Sequence, residues 1–142
     1  MDDPYDLQRF LTAQDPVYDD VRAELRAGQK RTHWMWFVFP QLRGLGHSDM
    51  ANRYGLESLD EASAYWAHPT LGGRLRECVE LANAVEHKSA LEIFDRPDHW
   101  KFRSCVTVFG RAVPDEPLFQ DALDRFFGGE PDQKTIDLID AQ

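Results

Sequence analysis

Apolar side chains recur at helical spacing along most of the chain. Val17, Val21 and Leu25 follow one another at four-residue intervals, and Gly28 stands where such a helix would end. The longest pattern runs from about residue 71 to residue 86, with one apolar side made by Leu71, Leu75, Cys78, Val79, Ala82 and Val85. Patterns of this period predict about seven to nine short helices in one compact domain, residues 1–142.

Capping side chains mark the starts of several of these helices. Asp15, Ser48, Ser58, Ser89 and Asp132 each precede an apolar-periodic run, as N-cap residues do. A glutamate also follows Ser58 and Ser89 three positions later, which is the capping-box pattern. With the glycine and proline signals, these residues predict helices near 5–13, 16–27, 49–54, 59–67, 71–86, 90–94, 97–112, 117–127 and from 133 onward.

Two apolar segments have the character of a β-strand as well as that of a helix. Residues 34–39 form a continuous apolar and aromatic run, which periodicity alone does not assign. Residues 105–109 favour a strand by propensity. A pair of strands is only marginally stable by itself. The predicted fold class is therefore all-α, with minor strand character at these two segments as the alternative.

The composition is that of a soluble globular protein, with 42% hydrophobic and 29% charged residues. Its formal net charge of −9 argues against binding to nucleic acids and to anionic membrane surfaces. Cys78 and Cys105 lack the spacing of a redox or zinc motif. The sequence shows neither a secretory signal nor an apolar run of ~20 residues. These features predict a cytoplasmic protein with reduced cysteines.

Positive charge is concentrated near the middle of the first half of the chain. The charged residues between positions 22 and 46 are Arg22, Glu24, Arg26, Lys30, Arg31 and Arg43. Acidic residues dominate from Pro114 onward. A basic region in an acidic protein indicates a site for a small anion. Ordinary variation of surface charge is the alternative.

The segment from Lys30 to Ser48 combines the residue types of an anion site. Its glycines allow backbone amides to turn toward a ligand, and the helix after Ser48 would present its positive end. Arginine grips phosphate through paired hydrogen bonds, and tryptophan stacks on flat rings. A glycine-containing turn, a capping serine and core tryptophans are the alternative. The candidate ligand-binding residues are Lys30, Arg31, His33, Trp34, Gln41, Arg43, Gly44, Gly46 and Ser48.

Three side chains are candidates for a catalytic acid or base, namely His33, His47 and Asp98. The histidines lack the spacing of metal ligands, so neither a metal site nor a cofactor is predicted. A solvated polar surface is the alternative for the helical face that carries Asp98. That face is made by Asp98, Lys101, Ser104 and Thr107, at intervals of three.

The run from Arg31 to Gly46 resembles the hallmark of an uncharacterised, chiefly bacterial family. This family is the domain of unknown function eighteen-ten, whose members are sometimes mislabelled calpastatin. The resemblance covers nearly the whole chain and includes Phe10, His68-Pro69 and Phe126–Gly129. It implies a compact multihelical domain, and it implies no established activity, catalytic residue or cofactor.

Two functions are compatible with these features. The first is binding of an anionic small molecule, such as a nucleotide or a sugar phosphate, by the Lys30–Ser48 segment, with or without a reaction. The second is that of a non-catalytic helical interaction module or homodimer, which the aromatic content of 12% suggests. A monomer is compatible with the first function.

Overall fold

Ten helices and their connections make up residues 3–142, the part of the chain that the computed structural model describes. The predicted all-α, compact single-domain fold class is confirmed. The helix count exceeds the predicted seven to nine because one short turn forms in the ambiguous segment after Trp34. The helices are α1 (Gln8–Gln14), α2 (Tyr18–Ala27), α3 (Met35–Val38), α4 (Asp49–Tyr54), α5 (Leu59–Ala67), α6 (Leu71–Asn83), α7 (Ala90–Phe94), α8 (Asp98–Ala112), α9 (Leu118–Phe127) and α10 (Gln133–Asp140).

The alternative of minor strand character at residues 34–39 and 105–109 is excluded by the structure. The first segment contains helix α3, and the second lies inside α8. Cys105, Val106 and Phe109 are each 0% exposed. The strand propensity of these residues is overridden by their packing inside the helical core. Within residues 3–142 the only β-pairing is an isolated parallel bridge.

Helix α8 is the centre of the core and packs against α3, α5, α7, α9 and α10. The ring of Phe102 lies edge-on to that of Phe39, with centroids 5.0 Å apart, and stacks on Phe94 at 4.7 Å. Two turns further along, Phe109 meets Tyr65 at 5.4 Å. Such aromatic pairs add about 0.5–1.5 kcal/mol each beyond the burial of their area. Helix α8 is therefore a rigid support for the side chains near its start.

Four of the five predicted N-caps are confirmed. The prediction for Asp15 is wrong, because this residue ends α1, and the N-cap residue of α2 is Val17. At Ser89 the capping box is complete, because the Glu92 carboxylate accepts the Ser89 N–H at 3.0 Å. At Ser58 only half of the box forms, because the Glu61 carboxylate accepts the Glu57 N–H instead, at 2.8 Å. Each cap accepts the N–H three residues on, in the pairs Ser48–Ala51, Ser58–Glu61, Ser89–Glu92 and Asp132–Thr135.

None of the helices within residues 3–142 combines the length and the hydrophobicity that crossing a bilayer requires.

Candidate functional site

The start of the Lys30–Ser48 segment is fixed by the buried carboxylate of Glu24 in α2. The backbone N–H groups of Arg31 and Thr32 donate to this carboxylate at 2.6 and 3.0 Å, and the Thr32 hydroxyl donates at 2.6 Å. The indole N–H of Trp34 donates at 3.0 Å. Burial raises the pKa of Glu24, but these hydrogen bonds outweigh it and lower the pKa below its usual 4.5. An ionised glutamate therefore holds this loop.

Trp34 lies in the hydrophobic core and is 1% exposed. Its ring packs against Phe39, with centroids 6.0 Å apart. It therefore presents no indole face to solvent, and a ligand cannot stack on it in this arrangement. Trp34 is therefore a core residue, as the alternative interpretation of this tryptophan proposed.

Two largely buried lysines share one carboxylate at the start of α8. Lys30 Nζ lies 2.8 Å from one oxygen of Asp98, and Lys101 Nζ lies 3.3 Å from the other. Each ammonium also lies over an indole, at 5.2 Å from the Trp34 centroid for Lys30 and 4.7 Å from the Trp36 centroid for Lys101. We call this arrangement the Lys30–Asp98–Lys101 triad. With two positive charges and one negative charge, it carries an excess of positive charge.

Lys101 borders a groove of about 710 Å³. One side of the groove is the loop that follows α3, another is the first half of α8, and the third is the connection from α9 to α10. A pocket of this volume is within the range of about 300–1,000 Å³ that is usual for small-molecule sites. The lining residues are Gln41, Leu45, Gly46, Pro97, Trp100, Lys101, Arg103, Ser104, Glu130, Pro131, Asp132, Gln133 and Lys134.

The loop that follows α3, which forms one side of the groove, is held in place by close contacts of its backbone. The Gln41 carbonyl accepts the Leu56 N–H at 2.9 Å, which forms one half of the isolated parallel bridge. At Gly46, a Cβ atom would lie 2.9 Å from the Cβ of Ala51, so any larger residue would push the loop away from α4. Gly46 is therefore required here for close approach to α4.

The α9–α10 connection is anchored to α8 by two side chains. The Thr107 hydroxyl accepts the Asp132 N–H at 2.9 Å, and Arg103 Nε donates to the Glu130 carbonyl at 3.0 Å. Ser104 is 6% exposed and Thr107 is 2% exposed. The polar face of α8 is thus largely buried beneath this connection, and the expectation of a solvated face is wrong for these two residues.

The groove carries three cationic side chains, those of Lys101, Arg103 and Lys134. Lys134 forms no ion pair with any residue in the range 3–142. Of the two acidic residues in the lining, Asp132 is occupied as the N-cap of α10, where it accepts two hydrogen bonds from Thr135. The other, Glu130, has a side chain that is 82% exposed and lies 3.8 Å from Arg103.

Trp100 projects into the same groove and is 51% exposed. The ring of His99 lies behind it, with centroids 4.2 Å apart. His99 is 6% exposed, and this burial lowers its pKa below 6.5, so the ring is neutral at pH 7. The guanidinium of Arg103 lies 5.8 Å from the Trp100 ring. A flat aromatic surface therefore adjoins the cationic side chains.

The structure brings only part of the predicted site to this groove. Gln41 and Gly46 line it, and Asp98 lies behind Lys101. Arg43 is directed elsewhere, because its guanidinium donates to the carbonyls of Asn52 and Gly55 at 3.1 and 3.3 Å. The other predicted residues stand outside the lining: Lys30 in the triad, Trp34 in the core, Ser48 as a cap, Gly44 beside Leu138, and Arg31, His33 and His47 on the exposed surface.

Within residues 3–142, no three His, Cys, Asp or Glu side chains are grouped so that they would hold a metal ion. The carboxylate of Asp98 is engaged in ion pairs with two ammonium groups, so it has a structural role. The groove therefore combines cationic side chains with an exposed aromatic side chain.

Residues 4–139 match the model of a family described as protein of unknown function (DUF1810). The chain belongs to this family. No curated protein matches the sequence. A solved structure, that of the conserved hypothetical protein Rv1873 from Mycobacterium tuberculosis, superposes on this family member with a TM-score of 0.97. The two share 52% sequence identity, over 99% of this chain and 100% of the other.

Sequence reasoning missed three of the groove residues of this family member, Trp100, Arg103 and Lys134. Trp100 and Arg103 are three positions apart and so share a face of α8. The spacing of a tryptophan one turn from an arginine was a usable signal. Lys134 had none, because it lies in the acidic end of the chain and is brought to the groove by the anchoring of the α9–α10 connection to α8.

Proposed function

We propose that the protein binds an anionic small molecule, such as a nucleotide or a sugar phosphate, in the groove beside α8. The observation that carries this proposal is a concave site of about 710 Å³ bordered by Lys101, Arg103 and Lys134. Ammonium and guanidinium groups form charge-assisted hydrogen bonds with phosphate and carboxylate oxygens. Gln41 and Gly46 contribute the part of the site that belongs to the Lys30–Ser48 segment.

The charge of the whole protein makes a local positive site necessary for such a ligand. The formal net charge of −9 repels an anion at long range. The excess positive charge of the Lys30–Asp98–Lys101 triad is partly shielded from water, since the exposed fractions of the three side chains are 7%, 18% and 23%. Salt screens a partly buried charge less than an exposed one, so the triad attracts an anion at physiological ionic strength.

The surface gives less support to the interaction module as an alternative function. The exposed large hydrophobic side chains of residues 3–142 are Leu91 and Trp100, on α7 and α8. A protein-binding surface normally has a contiguous apolar patch with several aromatic anchors. A small anionic ligand requires only the one tryptophan that the groove already contains.

Thermal unfolding in the presence of nucleotides and sugar phosphates tests this proposal. A compound at 100 times its dissociation constant stabilises the folded protein by about 2.7 kcal/mol. We expect stabilisation of the wild type by at least one member of the panel. Lys134→Ala and Lys101→Met should each weaken its binding by about tenfold or more, since a hydrogen bond to a charged group contributes about 1.5–3 kcal/mol.

Arg26→Ala is the matched control, because Arg26 is an exposed cation in the last turn of α2 and is absent from the groove. It should bind as the wild type does. Lys101→Met leaves Lys30 paired with Asp98, so this variant should fold. The proposal fails if no compound stabilises the wild type, or if the groove variants bind as tightly as Arg26→Ala.

A further inference from the structure

Trp100 is exposed to solvent, whereas most aromatic side chains of this protein are buried. Its exposed fraction is 51%, while Trp34, Phe39, Phe94 and Phe102 are each 0–1% exposed. A tryptophan side chain has a large apolar surface, so exposing it to water forgoes about 25 cal/mol for each Å² that burial would remove. In a concave site, a flat ligand recovers this free energy by covering the indole.

The surroundings of Trp100 hold the ring in place. His99 packs on one side at 4.2 Å between centroids, and Arg103 lies 5.8 Å away. Both neighbours belong to α8, whose core side is packed against five other helices. A pre-positioned ring loses little conformational entropy when a ligand stacks on it. The wall of the groove is therefore suited to an aromatic ring.

Cationic and polar side chains surround this aromatic surface. Lys101 follows Trp100 in the helix, and Lys134 borders the groove from the start of α10. The side chains of Gln41, Glu130 and Gln133 add hydrogen-bonding groups of the kind that sugar hydroxyls and ring nitrogens use. A ligand that satisfies all of these features has a flat heterocycle, a polar linker and an anionic group.

We infer that the groove takes a nucleotide, with its base stacked on Trp100 and its phosphate held by Lys101 and Lys134. This inference rests on the proposed function and narrows it, because a sugar phosphate alone would leave the indole uncovered. Stacking of a base on an aromatic side chain tolerates different bases, since every base has a π-face. Binding should therefore depend on the presence of a base more than on its identity.

Calorimetric titration with matched compounds tests the inference. The probes are AMP, GMP, CMP and UMP, with ribose 5-phosphate as the compound that lacks a base. The wild type should bind the nucleotides about tenfold or more tighter than ribose 5-phosphate, which corresponds to about 1.4 kcal/mol at 25 °C. In Trp100→Ala this preference should fall to about twofold or less. The ribose 5-phosphate affinity should change little.

Leu91→Ala is the control, because Leu91 is 40% exposed on α7 and is not part of the groove. It should keep the wild-type preference for nucleotides. Equal binding of AMP and ribose 5-phosphate to the wild type would overturn the inference and leave the proposed function standing. A preference that survives in Trp100→Ala would also overturn it. Absence of binding by all five compounds would count against both.

Discussion

Replacing Glu24 by alanine should lower the free energy of unfolding by about 3–5 kcal/mol. Glu24 is 8% exposed, and its carboxylate accepts four hydrogen bonds, from the Arg31 and Thr32 backbone, the Thr32 hydroxyl and the Trp34 indole. Alanine would leave these donors unpaired. Urea unfolding followed by tryptophan fluorescence measures the change, and Glu80→Ala, at an exposed glutamate of α6, is the control. A loss below about 1 kcal/mol would contradict this account of the loop.

The same carboxylate makes stability depend on pH. The folded-state pKa of Glu24 is lowered from its usual 4.5, so the ionised form stabilises the folded protein above pH 4.5. This contribution is lost as the pH falls through the folded-state pKa. The wild type should therefore lose its advantage over Glu24→Gln progressively below pH 4.5. A difference between the two proteins that stays constant on both sides of this pH would be evidence against an ionised Glu24.

Gly72→Ala should destabilise the protein by about 3 kcal/mol or more, while Gly73→Ala should stabilise it by about 0.5–1 kcal/mol. A Cβ atom at Gly72 would lie 2.0 Å from the Trp66 carbonyl oxygen, a backbone atom that cannot move without shifting α5. At Gly73 nothing lies within 4 Å of such an atom. Alanine there would only reduce the freedom of the unfolded chain.

Each of these neighbouring variants is the control for the other, since both add one methyl group to the first turn of α6. Thermal unfolding would show the contrast clearly, because 1 kcal/mol corresponds to about 2–6 °C in a domain of this size. The close packing of α5 on α6 would be refuted if both variants shifted the midpoint in the same direction by similar amounts.

The helices could be predicted from the sequence wherever a local contact defines them. The cap at Ser89 involves a side chain and an N–H only three residues apart, so its residue pattern identifies it. The segment from Cys105 to Phe109 gave no such pattern, because its residues favour a strand by propensity and are all buried in the fold. Its helical state is determined by packing between elements that are distant along the chain.

The candidate site could be predicted only in part, for a related reason. The sequence identified Lys30 as a cation, but its partner Asp98 lies far along the chain and converts it into a buried structural group. Other cations of the basic region between residues 22 and 46 also have partners within the protein, since Arg22 approaches Glu77 and Arg43 donates to backbone carbonyl groups. The positive charge of the groove comes instead from Lys101 and Arg103 of α8 and from Lys134 of α10.

An NMR titration of the isotopically labelled protein with AMP tests most directly whether the groove binds the anion. Each backbone amide signal belongs to one residue, so the signals that shift show where the ligand binds. They therefore distinguish binding in the groove from binding at a second cationic surface, which is formed by Arg9, Arg43 and Arg53. We predict that the largest and saturable shifts occur at Gly46, Lys101, Gln133 and Lys134. Shifts centred on the arginine cluster, or no saturable shift at all, would contradict the account.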